Sequence, residues 1–302
     1  MKHQKGQDIS GWLIIDKPTG MGSTPVVNQT RRLFDAKKNG HTGTLDPFAS
    51  GVLPIAFGEA SKLISFVTDG DKEYEFTVEF GATTDTLDLT GEIIQSGGRL
   101  PSREEILDIL PTFIGKIEQT PPAYSAIKIK GQRAYDLARQ GIEVDMPKRL
   151  IQIYNLEFLD MPSESSARFR VACSKGTYVR TLGADLAEKL GTYGHLTALR
   201  RTKCGKFTIA DTILLENLKK IEYVNERQKQ LLPLMTCLCD ITVIAVREED
   251  AAKLRQGQGV SPKNYETKHL IGQEAAAVFN QQLVAMVRIE ETRISPVRVF
   301  NL

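Results

Sequence analysis

Long apolar runs are missing from this chain. No stretch approaches the roughly 20 residues that a membrane-spanning helix needs, and the opening segment Met1–Ser10 is polar, without a signal-peptide core. Cysteine is scarce: four in 302 residues cannot frame a disulfide-built fold. Cys173 and Cys204 stand alone, and Cys237-Leu-Cys239 lacks a second pair at zinc spacing. A reduced, cytoplasmic protein is therefore expected. Histidine is equally sparse, at positions 3, 41, 195 and 269, again without metal-ligand spacing. No glycine-rich dinucleotide or phosphate loop occurs, so neither a metal nor an organic cofactor is expected. Net charge is low as well, and +2 does not by itself announce a nucleic-acid binder. A hydrophobic content of 41% and a charged content of 25% are those of an ordinary globular protein, long enough for one large core plus a small second domain.

What is present centres on Gly40-His-Thr-Gly-Thr-Leu-Asp-Pro-Phe-Ala-Ser-Gly51. A residue before proline is pushed out of helical geometry, and flanking glycines let the backbone turn sharply, so Asp46 reads as a carboxylate displayed on a shaped loop. The apolar run Val52–Phe57 reads as a buried strand anchoring that loop. Asp-Pro is also a common turn dipeptide, so spacing alone leaves a purely structural loop as the alternative. Asp85-Thr-Leu-Asp88 offers two further carboxylates, but beside Gly91 these read as turn residues rather than metal ligands.

Elsewhere the chain alternates strand and helix signals. Trp12–Ile15 reads as a strand, and Ser23-Thr24-Pro25 as a cap opening a helix that buries Val26, Val27, Thr30, Leu33 and Phe34. Tyr74, Phe76, Val78 and Phe80 alternate onto one face of a strand. Ser102-Arg-Glu-Glu105 is a capping box. Ile151–Leu159 and Ala167–Ala172 read as strands, Thr177–Leu190 as a helix stopped by Gly191, and His195–Arg201 as a returning strand. Between Lys148 and Lys206 basic residues outnumber acidic ones, which predicts one positive face or a solvated strip. The polar run Asn225–Gln230 reads as a boundary region, followed by short strands to the end.

The Asp46 loop resembles the motif of the bacterial tRNA pseudouridine-55 synthases. Asp16-Lys-Pro-Thr-Gly20, Lys72-Glu-Tyr74, Tyr124-Ser-Ala-Ile-Lys128 and Ser174–Thr181 resemble further segments of that family, in its order. The resemblance runs from about Gly11 to about Lys206, with a weaker C-terminal match. It implies an α+β fold, a mixed and largely antiparallel sheet with flanking helices over 1–232, and an RNA-clamping insertion at about 120–147. Residues 240–302 resemble a small PUA-like RNA-binding β-barrel. It also implies conversion of uridine 55 in the tRNA T-arm stem-loop to pseudouridine by base flipping, by a monomer needing no protein partner or membrane. Asp46 would be the nucleophile, Arg180 its fixed cation, and Tyr74 the residue that stacks on the base. His41, Lys17, Tyr178, Lys175 and Lys128 would contact RNA, with a surface strand-end lysine the alternative for Lys17. Whether Asp46 attacks C1′, attacks the base, or acts as a base on the ribose stays open. Competing readings are a non-catalytic tRNA-binding or tRNA-folding protein, a guide-RNA-dependent pseudouridine synthase, and a hydrolase with an aspartyl nucleophile.

Overall fold

The computed structural model describes residues 6–302 apart from 126, 130 and 143. The first five residues of the polar opening segment and Ala126 of the Tyr124–Lys128 segment thus lie outside the described residues. Eight strands form the spine of a ten-stranded mixed sheet. They are β1 (Gly11–Lys17), β2 (Ser50–Phe57), β3 (Lys72–Phe80), β4 (Gly115–Gln119), β5 (Arg149–Ser163), β6 (Ser166–Cys173), β7 (Gly194–Cys204) and β8 (Ile213–Leu214). Their order is β8-β1-β2-β7-β3-β6-β5-β4, with Asn39–His41 paired to β2 and Phe207–Thr208 paired to β7. Only β1–β8 and β2–β7 run parallel; the other spine pairs are antiparallel.

The parallel β2–β7 contact is short, confined to Arg200↔Ser50 and Arg201↔Gly51. There the Asp46 loop enters β2. A Cβ on Gly51, whose φ is 101°, would stand 2.2 Å from the Arg201 carbonyl oxygen, so only glycine lets the two backbones approach this closely.

Period-two alternation sorts each strand onto two faces. Leu13, Ile15, Leu53, Ile55, Phe76, Val78, Phe169, Val171 and Leu196 point into the principal core. Helices α1 (Ser23–Leu33), α2 (Arg103–Ile109), α3 (Ala134–Arg139) and α4 (Val179–Lys189) accompany the sheet. In α4, Val179, Leu182 and Leu186 recur at helical spacing and are buried in this core. Gly183 allows the close fit, because a Cβ there would meet Leu196 Cδ1 at 2.2 Å.

The opposite side of β1 and β2 supplies Trp12, Ile14, Val52 and Ala56 to a second core, shared with Ala276, Met286 and Phe300. Ala276 and Met286 belong to, and Phe300 directly follows, a four-stranded C-terminal sheet, β9 (Val243–Ala245), β10 (Glu274–Phe279), β11 (Gln282–Ile289) and β12 (Ile294–Val299). The polar run expected to mark a boundary is a docked helical turn, Val224–Gln228, in which Arg227 donates to the Leu33 carbonyl at 2.6 Å. Polarity reported its exposed side only. No helix among the described residues is long and apolar enough to cross a membrane.

Candidate active site

The loop between Asn39–His41 and β2 is held from several sides. The Ser23 hydroxyl, expected to cap α1, leaves that task to Gly22. It bonds instead to Leu45, donating to its carbonyl at 3.0 Å and accepting from its N–H at 2.8 Å. Gly20 N–H donates to the Pro47 carbonyl at 2.7 Å. Both neighbours of Asp46 are therefore pinned through their backbones.

Arg180 reaches Asp46 from the first turn of α4. Its Nε lies 3.0 Å from Asp46 Oδ2 and its Nη1 lies 3.4 Å from Asp88 Oδ2. Nη1 also donates to the Thr86 carbonyl at 2.8 Å, and Nη2 to the Tyr124 carbonyl at 2.7 Å. Five N–H donors in a rigid plane suit such a spread of acceptors, which an ammonium could not match. The Arg180 and Asp88 side chains are each 5% exposed, whereas that of Asp46 is 38% exposed. Asp46 is thus the carboxylate offered to a ligand, and Asp88 the counter-ion fixing the far end of the guanidinium. Asp88 is steadied in turn by Thr86 Oγ1 and the Thr90 N–H, both donating to Oδ1 at 2.9 Å.

The start of α4 is fixed by Gln119, which is 2% exposed. Its Oε1 accepts from Tyr178 N–H at 2.7 Å and its Nε2 donates to the Tyr178 carbonyl at 3.0 Å. Asp46, Tyr74, Tyr178, Arg180 and Lys175 line one cleft of about 690 Å³. Burial pushes the Asp46 carboxyl above its usual range, against the pull of the Arg180 guanidinium and with the help of the Asp88 charge. Burial likewise raises the Tyr74 phenol to about 12 despite Arg201 nearby, so Tyr74 is protonated at neutral pH and can stack or donate.

Of the other residues named from sequence, Lys175 stands at the cleft mouth, paired with Asp69 at 3.0 Å. His41 lies on the short strand beside β2, opposite Ile55, half-buried and outside the cleft lining. Burial holds its imidazole below the usual value, and its buried Nδ1 has no partner among the described residues. Lys128 is exposed on a hairpin, also outside that lining.

Lys17 departs from expectation. It has no exposed surface, and its Nζ donates to the carbonyls of Pro18 (2.8 Å), Met21 (2.5 Å) and Pro47 (3.4 Å). An ammonium saturated by backbone oxygens is a brace for the Asp46 loop, not a free phosphate contact. Lys17→Met is accordingly expected to lower the melting temperature and turnover without changing the salt slope of RNA binding, whereas losing a phosphate contact would reduce that slope by about one. Thermal melts and salt titrations decide between the two.

The predicted positive face also resolves differently. Arg168 pairs with Asp160, Arg170 with Glu75 and Glu157, Arg200 with Asp16 and Lys206 with Asp240. Glu75, Asp16 and Asp240 lie outside the counted stretch, and Asp160 and Glu157 inside it on a neighbouring strand, so a count along the sequence could not show the pairing. Asp88 and Gln119 were missed as parts of the site for the same reason. Asp88 does make the turn that its surroundings announced, and the guanidinium it also holds lies 92 residues further along the chain (180 − 88).

Residues 31–179 match the family model described as TruB family pseudouridylate synthase (N terminal domain). Residues 180–241 match that of the tRNA pseudouridylate synthase B C-terminal domain. The boundary between the two falls inside α4, so Asp46 and Arg180 meet across it. A tRNA pseudouridine synthase B of Caulobacter vibrioides is 44% identical over 100% of this chain and 99% of its own length. That of Bradyrhizobium diazoefficiens is 45% identical, over 100% and 90% respectively. Among solved structures, a chain of a Cbf5-Nop10-Gar1 complex superposes with a TM-score of 0.73 at 24% identity, covering 96% of this chain and 84% of that one, a likeness of fold.

Proposed function

Since this chain belongs to the TruB family of pseudouridylate synthases, we propose that it isomerises uridine to pseudouridine in tRNA, at position 55 of the T-loop, with Asp46 as the nucleophile. The single observation that carries the reading is the Asp46–Arg180–Asp88 array opening onto a cleft beside Tyr74. The isomerisation breaks the bond between uracil N1 and C1′, joins C5 to C1′, and exchanges a proton at C5 for one at N1. It needs no redox change and no external group.

An ionised carboxylate can attack and stabilise an electron-poor centre. Whether that centre is C1′ or the base, or whether Asp46 instead removes a ribose proton, each route requires the anion. Burial opposes ionisation, and the displacement of water by RNA opposes it further. The guanidinium, unable to lose its proton and held at its far end by Asp88, keeps Asp46 charged through that change. Tyr74 provides a protonated aromatic face for the flipped base, and Tyr178 lines the same space. Flipping a stacked uridine out of a folded loop costs a few kcal/mol, roughly, and contacts elsewhere on the RNA must supply it. We assign these to Lys175 at the mouth, to Lys128 and the segment 120–147, to His41, and to the 240–302 sheet as a PUA-like RNA-binding unit. The chain works in this reading as a cytoplasmic monomer on the T-arm, without guide RNA or protein partner.

The test is direct. The purified chain alone, mixed with a tRNA transcript labelled with tritium at uridine C5, is expected to release one tritium per tRNA, from position 55 only. Release that requires an added guide RNA or protein would favour the guided class. Tight binding without release would favour an RNA-folding protein.

A further inference from the structure

Besides Arg180, Arg149 and Arg201 line the cleft, and the buried one of these two has no part in the chemistry above. Arg201, near the end of β7, is 1% exposed. A buried charge is unfavourable unless its donors are satisfied. Among the described residues no carboxylate pairs with Arg201, whereas its neighbour Arg200 is held by Asp16 at 2.8 Å. Two of its nitrogens donate to backbone instead. Nε donates to the Val52 carbonyl at 2.8 Å and Nη2 to the Gly43 carbonyl at 3.3 Å.

Gly43 and Val52 are the two feet of the loop that carries Asp46. One side chain therefore spans that loop from behind. Its own backbone is tied to the same place, since Arg201 is the parallel partner of Gly51, where no Cβ could fit. On the other side, β7 pairs antiparallel with β3, and Arg201 stands opposite Tyr74. Arg201 thus joins the nucleophile's loop to the strand position of the aromatic, while Arg200 beside it pairs with Ser50 and Glu75.

Resting on the reading of the site given above, we propose that Arg201 is a positioning residue, fixing the separation between the Asp46 carboxylate and the Tyr74 ring and hence the gap that receives the target base. The guanidinium's planar fork suits this role, because two carbonyls on different strands are gripped by one rigid group. Lysine keeps the charge but cannot reproduce the fork. Glutamine buries no charge and so should fold readily, but its single amide nitrogen cannot replace both guanidinium nitrogens.

The experiment measures single-turnover pseudouridine formation at saturating tRNA, tRNA affinity and thermal melting for Arg201→Lys and Arg201→Gln, with Asp46→Asn alongside. A displacement of the reacting group by about 1 Å can reduce turnover on the order of 10²-fold. A fall of that order in the single-turnover rate, with affinity unchanged in protein shown to be folded, is the expected result for both variants. If Arg201→Lys does not fold, Arg201→Gln carries the test alone. A melting temperature that drops while the folded protein turns over at the wild-type rate would make Arg201 a core staple and overturn the proposal. So would weaker binding with an unchanged rate, which would make it a substrate contact. If Asp46→Asn itself stays active, the reading of the site fails, an outcome separable from both.

Discussion

Asp46→Asn is expected to lose essentially all tritium release, a fall of ~10⁴-fold or more, on the scale observed when a member of a catalytic unit is neutralised in place. The substitution preserves size and removes only the charge. Binding should survive, because most RNA affinity comes from phosphate contacts made elsewhere. Stability should survive too, and the sign can be worked out. Burial raises the Asp46 carboxyl above its ordinary 3.8, so ionising it disfavours the folded state at every pH above its folded value. That penalty fades as the pH falls through the folded value and is gone below 3.8. The asparagine protein should therefore melt at or above the wild-type temperature near neutrality. For the same reason the acid limb of the wild-type rate profile should lie above the usual carboxylate range. Single-turnover rates, filter-binding affinities and calorimetric melts read all three. A near wild-type rate in Asp46→Asn would remove this loop from the chemistry.

Arg180→Lys should be the next most damaging change. The guanidinium holds two carboxylates and two carbonyls at once, at 3.0, 3.4, 2.8 and 2.7 Å. A lysine ammonium has three donors and no plane. It can satisfy one carboxylate, leaving the other facing an imperfectly screened like charge. Turnover should fall on the order of 10²- to 10³-fold, the loss expected when a charge-stabilising group is removed. The acid limb should also move to higher pH, because a weaker cation allows Asp46 to protonate earlier. In the double variant with Asp46→Asn the losses should fail to add, since the two groups act together. Additive losses with an unmoved acid limb would show that Arg180 serves binding rather than the charge on Asp46.

How much of this could be read in the sequence depended on the range of the interaction. The loop around Asp46 was legible because its shape is local: Asp before Pro, with glycines at 43 and 51 whose φ angles are 96° and 101°. The Ser102 capping box and the alternation through Tyr74–Phe80 were legible for the same reason. Arg180 was reached through resemblance, as nothing in its neighbours specifies a partner 134 residues away (180 − 46). Asp88, Gln119 and Arg201 were not seen as parts of the site, since each does its work through partners supplied by elements distant in sequence. Lys17 was misread because a lysine at a strand end is usually solvated, and only the packed loops reveal that three carbonyls enclose it. Ser23 was given the commoner task of its residue type, and the structure uses its hydroxyl elsewhere.

The position of β1 has a consequence for how the protein is made. This strand comes first along the chain, yet one of its sheet neighbours, β8, begins at Ile213, and Trp12 exchanges backbone hydrogen bonds with Leu232. The same tryptophan belongs to the core that includes Met286 and Phe300. Contacts so remote in sequence close late, after the loop entropy between them has been overcome. On the ribosome, β3, β6, β5 and β4 can form their antiparallel ladder while the back surface of β1 and β2 has only part of its cover. The apolar side of those first strands is closed in stages: Ala60, Leu63 and Val67 follow β2 directly, Phe207 and Leu234 come later, and Met286 and Phe300 come last. The Asp46 loop is anchored to that surface through β2, so its footing is completed by contacts that lie far apart along the chain.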